Sequence, residues 1–175
     1  MTPEKLAEAM RIKLTRATLW APHLTKAMED YDINTDMRVA SFLAQIGHES
    51  GGLAYTAEIW GPTLAQAKYE GRIDLGNNQD GDGAKFKGRG LIQITGRFNN
   101  RVAGKALGLP LEDSPELLEQ PEHAASSAAW WWKEHGCNEI ADGGDFKKLT
   151  RRINGGLNGY EDRLQRFEWA RAALV

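Results

Sequence analysis

Apolar residues recur at helical spacing along most of this chain. Leu6, Met10 and Leu14, with Ala9, mark one face of a first helix that Thr2 caps and Pro3 opens. A second helix is predicted from near Pro22, with Leu24 and Met28 inward, up to the break at Asp32-Ile33-Asn34. Asn34 or Thr35 caps a third helix running to about Gly47, and its Val39, Phe42, Leu43 and Ile46 have the spacing of a core helix. Glu49 comes next, in the stretch Gly47-His48-Glu49-Ser50-Gly51-Gly52. An acidic side chain just before a chain reversal suits the wall of a cleft.

The pattern then changes. Residues 50–90 are rich in Gly and Asn and have little apolar period beyond a short helical candidate at Thr63–Tyr69. Gly76-Asn77-Asn78-Gln79-Asp80-Gly81-Asp82-Gly83 reads as loop. Leu91-Ile92-Gln93-Ile94-Thr95 reads as a short strand or a buried extended segment. Helical patterns resume at Arg97–Leu107, after Ser114-Pro115, at Pro121–Glu134, from Asp145 to Ile153, and from Tyr160 with Leu164, Phe167, Ala170 and Leu174 on one face. The expected fold is mainly α, two-lobed, with one loop-rich lobe and little or no β. One catalytic domain fills residues 1–175, with no room for a separate cell-wall-binding domain.

Composition narrows the possible functions. The chain is 41% hydrophobic and 26% charged with a net charge of −2, which gives no reason to expect nucleic acid or an anionic membrane as partner. Cys137 is the single cysteine, so no intrachain disulfide forms. The start Met1-Thr2-Pro3-Glu4-Lys5 lacks a signal peptide's apolar core. No apolar run approaches the ~20 residues of a membrane span.

The candidate chemistry is that of carboxylates. Glycoside hydrolysis uses one carboxyl to protonate the leaving oxygen and a second to activate water or attack carbon. Glu49 stands apart from ordinary surface glutamates by its place at a core helix terminus. Glu58 and Glu70 lie nine and twenty-one residues further on. In Gly88-Arg89-Gly90-Leu91-Ile92-Gln93-Ile94-Thr95, and at Asn99, amide and hydroxyl side chains suit sugar hydroxyls and a positioned water. No metal or cofactor is expected. Asn78-Gln79-Asp80-Gly81-Asp82-Gly83 imitates the first half of a calcium loop, but Arg89 stands at position twelve, where a bidentate glutamate is needed. His48-Glu49 lacks the second histidine of a zinc motif. Trp130-Trp131-Trp132 cannot form one sugar platform, because consecutive helical residues point about 100° apart. Trp60 is the better stacking candidate.

Three blocks carry a resemblance: His48-Glu49-Ser50-Gly51-Gly52, Gly88-Arg89-Gly90-x-Ile92-Gln93-Ile94-Thr95 with Asn99, and Ile153-Asn154-Gly155-Gly156. In this order they resemble the glycoside hydrolases of family 19, the plant-type chitinases and related bacteriophage endolysins. The likeness runs from about residue 36 to the end. Glu58-Ile59-Trp60-Gly61-Pro62 through Tyr69-Glu70-Gly71-Arg72 is similar to the phage and prophage branch.

The resemblance implies a lysozyme-like fold with a cleft between two lobes and an inverting mechanism. It places Glu49 as general acid and Thr95 at the attacking water. Glu58 is the favoured general base and Glu70 the second choice. His48, Trp60, Gln93, Asn99, Asn154 and Arg163 are expected to bind substrate. Asn158 stands where plant enzymes tend to carry an acid. The implied activity is cleavage of β-1,4 glycosidic bonds in peptidoglycan by a monomer. Made in a host cytoplasm without a signal, it would reach the cell wall through a holin-type route, and Gram-negative hosts are expected. A chitinase, a lytic transglycosylase and a non-catalytic sugar-binding module are the alternatives.

Overall fold

The structure is a computed structural model and describes residues 1–174. Its helices are α1 (Pro3–Met10), α2 (Leu14–Asp30), α3 (Asp36–Glu49), α4 (Leu64–Ala67), α5 (Asp82–Lys85), α6 (Arg97–Leu107), α7 (Pro121–Glu134), α8 (Cys137–Asp142), α9 (Phe146–Asn154) and α10 (Tyr160–Leu174), with 3-10 turns at Ile73–Leu75 and Pro115–Glu119. Among the described residues extended pairing is confined to two isolated bridges, Ala57 with Arg89 and Arg89 with Ile94. The fold is mainly α, as the pattern predicts.

The chain forms two compact units. One joins Met1–Ala54 to the stretch from Ala128 onward; the other is Tyr55–Ser127. In the first, α3 packs on α10 and α1 packs on α2 and α10. Leu6, Leu24, Phe42, Leu43, Ile46, Trp132 and Leu149 are buried there. Each such side chain taken from water contributes roughly 1.5–3 kcal/mol. Trp132 meets Phe42 edge-on at 5.3 Å and donates its indole N–H to Asn138 Oδ1 at 2.8 Å. Trp131 instead stacks on His135 at 3.7 Å, so the three tryptophans diverge as the helical geometry requires.

The second unit is held as much by polar ties as by its core of Phe86, Leu91, Ala103, Leu111 and Leu118. Arg97 binds both carboxylate oxygens of the buried Asp82 at 2.6 and 2.9 Å, and Asn78 and Gln79 donate their backbone N–H groups to the same carboxylate. The hydrogen bonds from Arg97 hold the Asp82 carboxyl below its ordinary value, against the opposing effect of burial. The aspartates of the calcium-like loop therefore include one already committed to an arginine.

Several boundaries differ from the pattern. The second helix starts at Leu14, eight residues before Pro22, which lies inside it. Proline fits a helix start, yet here the buried run Ala17, Trp20, Ala21 and Leu24 crosses it and holds the helix together. Leu14 is half exposed and opens α2, leaving the first face to Leu6, Ala9 and Met10. Thr35, and not Asn34, caps α3, which continues through Glu49. Leu91–Thr95 forms no strand, because Gln93 adopts a left-handed φ of 58° and folds the segment into a turn. Helices α5 and α8 are too short to show an apolar period. On α10 the buried face is Arg163, Phe167, Ala170 and Ala173, with Leu164 only partly covered.

Candidate active site

Glu49 is the last residue of α3, and the chain turns away from it at once. Gly51 and Gly52 take φ of 60° and 70°, a conformation costly for any residue with a Cβ. The buried Ser50 accepts the N–H of Leu53 at 2.8 Å and donates to Ile46 O at 2.6 Å, closing the reversal. The carboxylate is thus presented at a helix end and not on an open helical face.

A buried polar line holds it. Arg163 of α10, 1% exposed, reaches Glu49 Oε1 at 2.5 Å through Nη2 and Gln45 Oε1 at 2.6 Å through Nη1. Its Nε donates to Asn158 O at 3.2 Å. Gln45 then donates to Thr150 Oγ1 at 3.1 Å, and Thr150 donates to Phe146 O at 3.0 Å. A guanidinium fixed at three points is pre-organised, so it orients one carboxylate oxygen at little entropic cost. Glu49 Oε2 has no protein hydrogen-bond partner among the described residues. His48, one residue earlier, is tied through Nδ1 to Asp162 Oδ2 at 2.7 Å, and Arg166 Nε bonds the same oxygen at 2.7 Å. Burial raises the Asp162 pKa, but the Arg166 and His48 hydrogen bonds outweigh it and hold the carboxyl below its ordinary value. Asn154 ends α9 exposed, and its side chain makes no hydrogen bond among the described residues.

Glu58 lies in the second unit, on a segment braced by backbone bonds: Glu58 N to Gly88 O and Gly90 N to Thr56 O, both 2.8 Å. Its Oε1 accepts from Gln66 Nε2 at 3.0 Å and Tyr69 Oη at 3.4 Å; its Oε2 accepts from Gly88 N at 3.1 Å. Burial, then the Glu58 charge and hydrogen bond, push the Tyr69 hydroxyl above its ordinary value, so it stays a donor. Gly88 is also the seat of Gln93 and Thr95. A Cβ there would lie 2.5 Å from Gln93 Oε1 and 3.1 Å from Thr95 Oγ1. Glu58, Gly88, Gln93 and Thr95 therefore form one tight cluster. Thr95 donates to Gln93 O at 3.0 Å, which leaves its oxygen lone pairs to accept. Asn99 is exposed and donates to Thr95 O at 2.8 Å. Trp60 lies 6.2 Å from Tyr69, ring to ring, and is half-buried.

Glu70 is placed differently. Its two oxygens accept from Gly81 N at 2.7 Å and Gly83 N at 2.8 Å. Both are committed to pinning the 81–83 loop.

Sequence reasoning misses the supports: Gln45, Thr150, Asp162, Arg166, Gln66 and Tyr69. Gln45 has a signal, since a glutamine within the apolar stretch Phe42–Ile46 and four residues before Glu49 shares its face. Gln66 has another, because Thr63 and Gln66 form a capping box. The remaining supports come from distant helices or loops and leave no local trace. Among the described residues no cluster of His, Cys, Asp and Glu fit to hold a metal occurs. No helix is long and apolar enough to cross a membrane.

Comparison with known proteins bears on this geometry. The family model for glycoside hydrolase family 19, described as Chitinase class I, matches residues 18–141. A Haemophilus influenzae protein described as glycosyl hydrolase family 19 domain-containing is 36% identical, over 79% of this chain and 80% of its own length. Endochitinase At2g43610 of Arabidopsis thaliana is 39% identical over 67% of this chain, but the match spans only 39% of that plant protein. The crystal structure of chitinase C from Streptomyces griseus has a TM-score of 0.73 at 26% identity, covering 98% of this chain and 75% of that one. The chain belongs to glycoside hydrolase family 19: it is a chitinase-like glycosidase with that family's lysozyme-like helical fold.

Proposed function

We propose that this glycosidase is an endolysin-type peptidoglycan hydrolase that cleaves β-1,4 bonds of the glycan strand with inversion. Glu49 protonates the glycosidic oxygen as the bond from that oxygen to the sugar carbon breaks. Glu58 takes a proton from a water whose oxygen bonds the same carbon from the opposite face, and Thr95 accepts a second hydrogen bond from that water. Gln93, Asn99, Asn154, His48 and Trp60 bind the sugars, and Arg163 acts by positioning Glu49.

One observation carries the assignment of roles. Glu58 is fixed by three donors, Gln66, Tyr69 and the Gly88 N–H, and through Gly88 lies beside Gln93 and Thr95, whereas Glu70 is bound to the backbone of the 81–83 loop. Pre-organised groups are what a transition state rewards. The phage-like segment around Glu58 favours peptidoglycan. The endochitinase relatives favour a second reading, chitin as substrate. In the first reading the protein acts as a monomer and reaches the wall through a holin-type pore.

The test is clearing of outer-membrane-permeabilised Gram-negative cells, with Glu49→Gln as control and chitin oligomers in parallel. We expect lysis by the native protein, none by Glu49→Gln even though its melting curve shows a folded, less stable protein, and products with reducing ends. Anhydro-sugar ends would mark a transglycosylase instead. Cleavage of chitin oligomers without lysis would transfer the assignment to the second reading.

A further inference from the structure

A cavity of about 340 Å³ in the first unit is lined by Met10, Arg11, Ile12, Lys13, Arg16, Gly51, Gly52, Arg166 and Trp169. Four of these nine carry positive charge in a chain whose net charge is −2. Among the described residues Arg11, Lys13 and Arg16 have no carboxylate partner. Arg16 Nη1 donates only to Gly52 O at 3.1 Å, and the Arg11 guanidinium sits over the Trp169 ring at 6.0 Å. Arg166 alone is paired, with Asp162, which also holds His48. The cavity thus begins two residues after Glu49 and shares a hydrogen-bonded chain with its neighbour.

Two further features mark it as more than a solvated basic surface. Arg11 closes α1 at a left-handed φ of 54°. Glycine takes that conformation at less cost, and Gly108 and Gly155 take it at the ends of α6 and α9. Here the residue is an arginine, and it lines the cavity. At Gly52 a Cβ would meet Ile12 Cγ2 at 3.2 Å, so Ile12 would have to give by a few tenths of an ångström, and the φ of 70° disfavours a side chain there as well.

We infer that this cavity is a subsite for the carboxylates of a peptidoglycan stem peptide, an inference that rests on the proposed peptidoglycan reading. Chitin is uncharged and offers nothing to these cations. A stem peptide is net acidic and carries alanine methyl groups, which suit the apolar lining of Met10, Ile12 and Trp169. A concave site with an aromatic wall favours a peptide over a flat anionic lipid surface. The subsite would make the enzyme read the substituent as well as the glycan.

The test uses the full chain with Arg11→Gln/Lys13→Gln, two exposed positions outside the catalytic groups. On glycan strands bearing stem peptides, KM should rise roughly five- to twentyfold with kcat unchanged, the sum of two weak solvent-exposed ion pairs. On the same strands stripped of peptide by an amidase, wild type and variant should match. An equal change on both substrates, or none on either, overturns the subsite. If neither polymer is cleaved, the peptidoglycan reading has failed, and the subsite is judged by binding alone. Synthetic L-Ala-D-Glu-meso-diaminopimelate-D-Ala should then shift the Trp169 indole resonance in wild type and not in the variant. No shift in wild type overturns it, as does variant-sensitive binding to phosphatidylglycerol vesicles without peptide binding.

Discussion

Gly88→Ala adds a single methyl to the cluster that holds Glu58. The added carbon would stand 2.5 Å from Gln93 Oε1, where ordinary contact begins near 3.4 Å, so about 0.9 Å of overlap must be relieved. Thr95 Oγ1, at 3.1 Å, must give by a few tenths. Gln93 can swing away by losing its 3.1 Å hydrogen bond to Gly90 O, at a net cost of about 1 kcal/mol. Residual crowding at Thr95 brings the expected loss of stability to roughly 1–2 kcal/mol. For a chain of this length that lowers Tm by only about 2–8 °C, so the fold survives. Activity should suffer far more. The groups that move are those proposed to hold sugar and water, and a displacement near 1 Å costs on the order of 100-fold in rate. Gly143→Ala is the control, since a Cβ there meets nothing closer than 3.5 Å and its φ of −73° suits alanine. Initial rates of cell-wall clearing, with melting curves on the same samples, read both quantities. A Gly88→Ala protein within threefold of native activity would refute the placement of Gln93 and Thr95 at the reaction.

Glu58→Gln should lower kcat by about 100-fold or more, whereas Glu70→Gln should leave kcat within a few fold and cost stability of about 1–3 kcal/mol in urea titration, because the Gly81 and Gly83 amides lose a charged acceptor. The reverse pattern would make Glu70 the base. Arg163→Met removes one partner of a largely buried ion pair and should cost about 3–5 kcal/mol by denaturant midpoint. A loss under 1 kcal/mol would contradict the positioning role of Arg163. Burial pushes the Cys137 thiol up to about 12. The native state therefore favours the neutral thiol. That contribution is complete below about pH 9, the value for an unfolded thiol, and is lost as pH rises from there through about 12. Cys137 should resist aromatic disulfide reagents at pH 8 until the chain unfolds; stoichiometric labelling of native protein within minutes would count against its burial.

Helices with a long apolar period are legible in the sequence, and so are the three blocks of the site. Thr2 and Asp145 cap α1 and α9 as their residue types suggest, each accepting a backbone N–H three residues on. The features that escape are those set by distant partners. Pro22 has the local chemistry of a helix start, and only the buried face of α2 shows otherwise. Leu91–Thr95 has strand composition, but the turn at Gln93 is fixed by packing around Gly88, which local propensity cannot see. Its place soon after Asn154-Gly155-Gly156 puts Arg163 among the expected substrate-binding residues. It is instead buried in a polar line from Phe146 to Glu49, a placement that a residue type common on surfaces hides. The choice between Glu58 and Glu70 is open in the sequence, since both are glutamates in one irregular region. The structure gives them different surroundings, Glu58 beside Gln93 and Thr95 and Glu70 on the 81–83 loop.

The bond between Arg163 and Glu49 joins residues 114 apart. At about 5–20 residues per second, a ribosome makes residue 163 some 6–23 s after residue 49. The unit that contains Glu49 is also discontinuous: residues 1–54 wait for everything from Ala128 onward, while Tyr55–Ser127 is one unbroken stretch. Closing so long a loop is entropically late work for a folding chain. The nascent protein accordingly carries Glu49 without the guanidinium that holds it until residue 163 has been made. The site proposed around Glu49 is aligned only after that point, so a glycosidase assembled in this order does no chemistry before it.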